Sequence, residues 1–176
     1  KLDSDMNMVG TSIDTGTGDA EALAFLDGEI WLTFSTNNGD DAKAKPYNIS
    51  STAWGSTVSL STQWGGTSHA GATSDGDTIF NYGGEGGSWM TFDDAGDTDE
   101  QGECNPNQCP AVGNGATAAA YDSDKENYYV AKNGDLVLIA LNSNNSEERA
   151  SYLDLTYDGE DIKIKGMTIV SGVVYM

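Results

Sequence analysis

The amino-acid sequence predicts an all-β protein, an antiparallel β-sandwich of the jelly-roll or immunoglobulin-like type with long Gly/Asp-rich loops. Two observations predict it. Asp-Gly and Asn-Gly dipeptides stand between strand-like apolar runs, and helical periodicity is nearly absent. About ten to twelve short strands separated by small polar residues are typical of a sandwich. The length of 176 residues fits one such domain.

The clearest elements are three hairpins, each with a turn dipeptide between two strand-like runs: Asp27-Gly28 in Ala22–Phe34, Asn133-Gly134 in Asn127–Leu141, and Asp158-Gly159 in Ser151–Gly166. These dipeptides tolerate the positive φ angles that a type I′ turn requires. Further strands are expected at Tyr47–Ser51, Thr57–Thr62, Thr78–Tyr82, Ser88–Phe92, Thr117–Tyr121 and Met167–Tyr175.

Periodicity assigns faces to some of these elements. Apolar residues alternate with polar ones around the third hairpin, which predicts one buried and one wet face: Leu153, Leu155, Tyr157, Ile162 and Ile164. Asp19–Leu26 is also compatible with a helix, because alanine, glutamate and leucine dominate it. We expect an N-terminal arm over residues 1–20 and a single domain over residues 21–176, with no internal repeat at a solenoid period.

The charge narrows the classes of partner. Twenty-eight acidic residues against eight basic ones give a net charge of −20. Such a surface repels phosphate backbones and lacks the basic clusters that anionic lipids attract. Because of this charge, we expect no binding to nucleic acid. No apolar run of about 18 residues is present, so we also expect no membrane insertion. Because the chain opens at Lys1 without a leader, we expect an exported protein that is extracellular or at the cell surface.

One acidic stretch stands next to a cysteine pair. In an exported protein, Cys104 and Cys109 are expected to form a disulfide that closes a small loop. Before them, six carboxylates offer the oxygen ligands that Ca²⁺ prefers: Asp93, Asp94, Asp97, Asp99, Glu100 and Glu103. Their spacing does not match an EF-hand loop, and a solvated acidic loop is the competing interpretation. No cofactor other than Ca²⁺ is indicated.

Tryptophans suggest a second kind of site. Trp54, Trp64 and Trp89 each stand beside or near glycine, where exposed rings can stack on sugars. Burial in the core is the alternative for all three, and it is the expectation for Trp31, which lies within a strand-like run. Asn48 and Asn144 open Asn-X-Ser triplets that fit the N-glycosylation pattern.

The sequence contains no convincing catalytic set. His69 is the only histidine, and the adjacent Ser68 cannot face it in an extended segment. Glu126 in ENYYVAK resembles the catalytic Glu that stands beside tyrosines in jelly-roll xylanases, which would imply glycoside hydrolysis with a second carboxylate such as Glu29. The resemblance covers four or five residues and lacks the second Glu of that motif. We therefore expect a protein that is not an enzyme.

The two ends of the sequence suggest assembly. Gly166–Met176 is apolar and uncharged, so we expect it to be covered as a central strand or at an intermolecular groove. Lys1–Ile13 resembles an arm that adds as a strand to a neighbour's sheet. Expected interface residues are Leu2, Met6, Met8, Ile13, Ile169, Val173 and Tyr175. The leading hypothesis is a structural subunit of an extracellular, pilus-like filament that polymerises with copies of itself; the alternative is a carbohydrate-binding module or lectin that binds glycans.

Overall fold

The structure is a computed structural model that describes residues 13–16, 20–36, 41–60, 71–82, 88–103, 116–132, 135–141, 147–162 and 164–176. Within these ranges the regular structure is β-strand without helix, and every strand pair is antiparallel. The prediction of an all-β protein is confirmed. The helix considered for Asp19–Leu26 is wrong, because Ala20–Leu26 is a strand that pairs with the following strand.

The described strands form three larger sheets and two hairpins. The first sheet contains β1 (Ala20–Leu26), β2 (Glu29–Thr36), β3 (Asp41–Asn48), β4 (Ala53–Trp54) and β5 (Val58–Ser59). The second contains β6 (Gly71–Ser74), β7 (Ile79–Tyr82), β8 (Ser88–Phe92) and β9 (Thr98–Glu103). The third contains β10 (Ala116–Asp122), β11 (Asn127–Lys132), β12 (Asp135–Leu141) and β13 (Glu147–Asp154). The hairpins are β14 (Thr156–Tyr157) with β15 (Glu160–Asp161), and β16 (Thr168–Val170) with β17 (Val173–Tyr175), which we name the terminal hairpin.

Strand order distinguishes this fold from the expected sandwich. Apart from the β3–β5 pair, described strands pair with their neighbours in the chain, so each larger sheet is a meander. Jelly-roll and immunoglobulin-like domains instead pair strands that are distant in sequence. The jelly-roll or immunoglobulin-like type is therefore not confirmed.

The meanders repeat along the chain. Their first strands and the terminal hairpin begin at Ala20, Gly71, Ala116 and Thr168, which are 51, 45 and 52 residues apart. The strands β1, β6, β10 and β16 lie beside one another in that order. Four-stranded meanders placed side by side through their first strands are typical of β-propeller blades. We predicted no internal repeat at a solenoid period. The structure contains a repeat of 45 to 52 residues, which the sequence pattern did not reveal.

Small residues allow the first strands to approach closely. A Cβ atom at Gly71 of β6 would lie 3.4 Å from the backbone carbonyl of Ala118 and 3.4 Å from the Cβ atom of Ala119, both in β10. Alanine also recurs through β1 and β10. Larger side chains at these positions would push neighbouring sheets apart, which explains the composition of these strands.

The second sheet is buried on both faces. Along β7, Ile79 and Asn81 point toward the first sheet, while Phe80 and Tyr82 point to the opposite face, and all four are buried. On the first-sheet side, Ile79 joins a core cluster with Ala24, Leu26, Trp31, Ala42, Ala44, Leu60, Met90 and Phe92. Trp31 meets Phe92 edge to face, with ring centroids 5.6 Å apart, so the core position expected for Trp31 is confirmed.

A buried polar contact also joins the first two sheets. The side-chain amide of Asn81 donates a hydrogen bond to Oγ1 of Thr33 at 3.1 Å, and both residues are buried. The Thr33 hydroxyl lies 3.4 Å from the carbonyl oxygen of Ala22 in β1, to which it donates. Because buried polar groups are costly unless paired, this contact fixes how the two sheets align.

Two of the predicted turns are present as expected. Asp27 and Gly28 have φ angles of 49° and 82°, and Asp158 and Gly159 have φ angles of 54° and 80°. The third turn, Asn133-Gly134, lies outside the described residues. The prediction of one buried and one wet face around the third predicted hairpin, in Ser151–Gly166, is only partly right. Ile164 is buried, but Tyr157 is 80% exposed and Ile162 is 39% exposed, because β14 and β15 pair with no third described strand.

The apolar C-terminal stretch differs from the prediction. It is a hairpin with a turn at Ser171-Gly172, where the φ angles are 50° and 72°, and it is not one long central strand. The expectation that Met167–Tyr175 is a central strand of its own sheet is wrong, because β16 and β17 pair with no third described strand. Its covering at an intermolecular groove stays a prediction. Val170, Val173 and Tyr175 are all more than half exposed, because they share the face that no described strand contacts.

Candidate functional site

The turn between β6 and β7 holds a carboxylate that links two sheets. Asp75 accepts hydrogen bonds from the backbone N–H groups of Asp77 at 2.9 Å and Thr78 at 2.7 Å through Oδ1. Its other oxygen, Oδ2, accepts a hydrogen bond from the hydroxyl of Tyr128 at 2.6 Å. Since Tyr128 belongs to β11, this bond joins the second sheet to the third.

Aromatic packing supports the same junction. Tyr128 is buried, and its ring stacks on Phe80 of β7 with centroids 4.2 Å apart. Tyr121 of β10 is the cross-strand partner of Tyr128, and the centroids of the two rings lie 4.9 Å apart. These ring contacts join the core of the second sheet to the third sheet. The hydrogen bond between Tyr128 and Asp75 lies at the edge of this aromatic cluster and adds a polar contact between the same two sheets.

The electrostatics of the pair favour a structural role. Burial, followed by the hydrogen bond to Asp75, raises the pKa of the Tyr128 phenol far above its usual range. Burial alone would raise the pKa of Asp75, but hydrogen bonds from Tyr128, Thr78 and Asp77 outweigh it and lower the pKa. At neutral pH the pair is therefore a protonated phenol bound to an ionised carboxylate. Neither group exchanges a proton in the range that general acid–base catalysis uses.

A second acidic turn lies between β10 and β11. Asp122 is buried and accepts a hydrogen bond from the backbone N–H of Asp124 at 3.1 Å, and its Oδ2 lies 3.6 Å from Nζ of the exposed Lys125. Burial, with the nearby charges of Asp75, Glu126, Asp122 and Asp77, raises the pKa of Tyr121. Even so, no three His, Cys, Asp or Glu side chains within the described ranges are placed to hold a metal ion.

Among the described residues, the predicted calcium ligands do not form a group that could hold a metal ion. Asp93 Oδ1 accepts hydrogen bonds from the backbone N–H groups of Ala95 at 3.0 Å and Asp97 at 2.9 Å, so it stabilises its own turn. Asp94, Asp97 and Asp99 are exposed. Glu100 and Glu103 belong to β9, and their side chains are not among those described. Other predicted site residues outside the described residues are Leu2, Met6, Met8, Trp64, His69, Cys104, Cys109 and Asn144.

The structure separates the tryptophans proposed for sugar binding. Trp89 is buried and stacks on Phe80 with centroids 6.1 Å apart, which leaves its ring no free face for a sugar. Trp54 is partly exposed in the first sheet. Its ring is occupied by Tyr47 in an edge contact at 5.1 Å and by Lys45 Nζ at 5.1 Å, and its Nε1 donates to the carbonyl oxygen of Asp14 at 2.9 Å.

The remaining predicted positions are the glycosylation candidate Asn48 and the two carboxylates, Glu126 and Glu29, that were considered for glycoside hydrolysis. Asn48 donates its side-chain amide to Glu29 at 3.1 Å and accepts from the backbone N–H of Ser51 at 2.8 Å, so glycan attachment at Asn48 would disrupt a strand-to-turn contact. Glu126 is an exposed turn residue next to the third sheet, with a φ angle of 53°. The second sheet lies between it and Glu29, so the structure does not pair these carboxylates.

Two exposed apolar surfaces are the most distinctive features of the described molecule. We name the first the front face: Leu23 and Phe25 of β1, 61% and 59% exposed, point away from the second sheet. We name the second the rear face: Val170, Val173 and Tyr175 of the terminal hairpin, 56%, 52% and 55% exposed. Sequence analysis proposed Val173 and Tyr175 but missed Leu23 and Phe25, because apolar residues occupy both faces of β1.

Comparisons with known proteins extend the description of the fold. No protein-family model and no curated protein matches the chain. Hydrazine synthase from Kuenenia stuttgartiensis matches with a TM-score of 0.58 and 14% identity, over 94% of this chain and 43% of that one. Apo AztD from Citrobacter koseri matches with a TM-score of 0.45 and 9% identity, over 82% of this chain and 49% of that one. The chain therefore spans less than half the length of either, and the first likeness shows a shared fold.

Proposed function

We propose that this chain is a non-enzymatic structural unit of an extracellular or cell-surface assembly, and that it joins to further copies of itself. In this proposal, an extended segment of one copy pairs with a strand edge of the next copy. The observation that supports it is an apolar surface on the terminal hairpin, where Val170, Val173 and Tyr175 share one face and are each more than half exposed.

Strand addition is the mechanism by which another copy would bind to the terminal hairpin. Among the described strands, β17 pairs only with β16, so its other edge offers unpaired backbone N–H and C=O groups. An extended segment can pair with such an edge and place alternate side chains against the sheet. The segment that we propose as donor is Lys1–Ile13 of another copy. Of that segment the structure describes Ile13, which is 52% exposed.

The chemistry of the described residues also supports a structural role. The most strongly perturbed titratable pair, Asp75 and Tyr128, joins two sheets and is not poised for proton transfer at neutral pH. The net charge of −20 keeps copies apart at low ionic strength, because screening between exposed charges is weak there. Assembly driven by apolar contacts should therefore strengthen as salt is added.

The experiment is to measure the molar mass of the purified chain at about 20 mM and about 0.5 M NaCl by sedimentation velocity, with electron microscopy of the same samples. We expect species larger than the monomer that increase with salt and with protein concentration. Deleting residues 1–13 should reduce assembly, and adding the corresponding peptide should inhibit the intact chain. A chain that stays monomeric under all these conditions would contradict the proposed function.

A further inference from the structure

Three Asp-Gly dipeptides carry the same latent chemistry: Asp27-Gly28, Asp75-Gly76 and Asp158-Gly159. The backbone nitrogen that follows an aspartate can attack the carboxyl carbon of that aspartate, and glycine favours the attack because it has no Cβ atom to hinder it. All three dipeptides lie in turns, between β1 and β2, between β6 and β7, and between β14 and β15. The dipeptides themselves are identical, so a difference in reactivity among them comes from their surroundings.

The fold restrains both reacting groups of the Asp75 site. The nucleophile, the backbone N–H of Gly76, donates a hydrogen bond to Oγ of Ser74 at 3.0 Å. The carboxylate accepts hydrogen bonds from the phenol of Tyr128 and from two backbone N–H groups of its own turn. Burial alone would raise the pKa of this carboxyl, but the three bonds outweigh burial and lower the pKa. The carboxylate is therefore fixed in place and stays ionised, and an ionised carboxylate resists nucleophilic attack.

The other two sites lack these restraints. Asp27 and Asp158 are exposed, and neither carboxylate accepts a hydrogen bond from a described residue. The N–H groups of Gly28 and Gly159 likewise donate to no described residue, as expected in a two-residue hairpin loop. Both aspartates have positive φ angles, 49° and 54°, which a residue with a Cβ atom adopts at a cost. At each of these turns, the nitrogen and the carboxyl group are free to meet once the turn rotates.

The two unrestrained turns differ in how firmly they are anchored. Ring closure requires the chain to leave the turn conformation, so the rate follows the ease of local opening. The Asp27 turn connects β1 and β2, which share six residue pairs within a five-stranded sheet. The Asp158 turn connects β14 and β15, which share two residue pairs and pair with no third described strand. The Asp158 turn therefore opens more readily than the Asp27 turn.

We propose that Asp158 is a site of spontaneous isomerisation to isoaspartate, that Asp27 reacts more slowly, and that Asp75 is protected by its hydrogen bonds. In the first step the nitrogen of Gly159 bonds to Cγ of Asp158 and loses its proton, and the carboxyl hydroxyl leaves, so that one water is released and a succinimide ring forms. Water then opens the ring. Attack at the side-chain carbonyl restores aspartate, whereas attack at the main-chain carbonyl leaves the backbone running through Cβ and Cγ. The composition of the chain is unchanged, and no oxidant or cofactor is consumed.

The test is to incubate the folded chain at about pH 5, where a fraction of exposed carboxyl groups is still protonated, in water enriched in the heavy oxygen isotope. Each passage through the succinimide incorporates one solvent oxygen, so the label marks every aspartate that has reacted. Peptide mapping by mass spectrometry assigns the label, and chromatography separates the isoaspartyl peptides. We expect Asp158 to be labelled at least about tenfold faster than Asp75, with Asp27 between them, because Asp75 must first lose bonds at both reacting groups. This result does not depend on self-association.

Two variants examine the protection of Asp75. Ser74→Ala removes the acceptor of the Gly76 N–H and should raise labelling at Asp75 by about twofold to tenfold, which corresponds to one hydrogen bond. Because the Ser74 hydroxyl also donates to the carbonyl oxygen of Thr78, Tyr128→Phe is the second variant, and it removes a donor to the carboxylate alone. Labelling at Asp158 should be unchanged in both.

Asp158→Glu is the matched control, since it keeps the charge but requires a larger ring that closes much more slowly. It should abolish labelling at this turn and leave Asp27 unaffected. A synthetic peptide of residues 156–161 gives the rate without the fold.

Three results would overturn the proposal. The first is equal labelling of Asp27, Asp75 and Asp158, because the fold would then not discriminate among them. The second is an Asp158 that stays unlabelled in the folded chain while the peptide reacts to completion. The third is labelling at Asp75 that rises in neither Ser74→Ala nor Tyr128→Phe, since the hydrogen bonds would then not be what protects it.

Discussion

Tyr128→Phe will lower the free energy of unfolding, because it removes one hydrogen-bond donor, the phenolic hydroxyl, and leaves the aromatic ring in place. The lost hydroxyl donates to Oδ2 of Asp75 across 2.6 Å, between the second and third sheets. The stack on Phe80 and the contact with Tyr121 do not require the hydroxyl. The substitution therefore isolates the hydrogen bond from the packing.

The size of the effect follows from the surroundings of both partners. A hydrogen bond to an ionised carboxylate contributes about 1.5–3 kcal/mol when well shielded. Asp75 is only partly buried and keeps its backbone donors, Asp77 and Thr78, so water can replace part of the loss. We therefore expect a decrease of about 1–2 kcal/mol at pH 7, which extends below the lower end of that range because water replaces part of the bond. For a chain of 176 residues this corresponds to a decrease in Tm of about 2–8 °C.

The contribution depends on pH with a definite sign at each end. The pKa of Asp75 is lowered in the folded state, so its stabilisation is present above the unfolded value of about 4 and is lost as pH falls through the folded pKa. The pKa of Tyr128 is raised, so its stabilisation is complete below the unfolded value of about 10 and declines as pH rises beyond it. The difference between the two proteins should therefore be greatest on the plateau between these limits.

The assay is urea unfolding of both proteins from pH 3 to pH 9, with Tyr121→Phe as the matched control. The Tyr121 hydroxyl has no hydrogen bond to a described residue, so its removal should change stability by less than about 0.5 kcal/mol. A double-mutant cycle with Asp75→Asn measures the coupling directly. The reasoning is refuted if Tyr128→Phe and Tyr121→Phe are equally mild at pH 7, or if the Tyr128→Phe effect persists undiminished at pH 3.

Three further predictions concern the packing of the first two sheets. Thr33→Val should cost about 1–3 kcal/mol in urea unfolding, because the buried Asn81 amide loses its acceptor, and Thr33→Ser should be milder; equal effects would contradict this assignment. Gly96→Ala should lower Tm by several degrees, because the φ angle of Gly96 is 81° and an added Cβ atom would lie 2.5 Å from Cγ2 of Val58. Adding Val58→Ala to the same chain should recover part of this loss. If nothing is recovered, the clash with Val58 is not the cause. Trp54→Ala should reduce stability by about 1–2 kcal/mol through lost ring contacts, and glycan-array binding that disappears with it would instead favour the carbohydrate-binding alternative.

Local chemistry was sufficient to predict the all-β class, some of the strands and two of the turns. The Asp27-Gly28 and Asp158-Gly159 turns follow from the tolerance of these residues for positive φ, which requires no knowledge of the rest of the molecule. The strand over Ser88–Phe92 also has the predicted bounds. The same reasoning joined Ile169 to Val174 in one strand, because it gave no weight to Ser171-Gly172 as a turn, although both residues adopt positive φ there.

The arrangement of candidate site residues was beyond sequence reasoning. Asp75 and Tyr128 are 53 positions apart, and neither stretch carries a motif that indicates the other. Trp54 and Trp89 have similar glycine-rich surroundings, yet one is partly exposed and the other is buried between sheets. Burial depends on which sheet covers a side chain, and that information lies in contacts between distant segments.

The residue pattern alone established an acidic, antiparallel all-β chain with tight Asp-Gly turns, because strand propensity, turn conformation and net charge are properties of short segments or of composition. Only the tertiary structure revealed the serial placement of β1, β6, β10 and β16 and the two apolar faces at the ends of that series. Side chains alternate between the two faces of a strand, so a strand that is apolar on both sides shows that neighbours are needed without identifying them. Their identity depends on how the meanders stack, which is a property of the whole packed molecule.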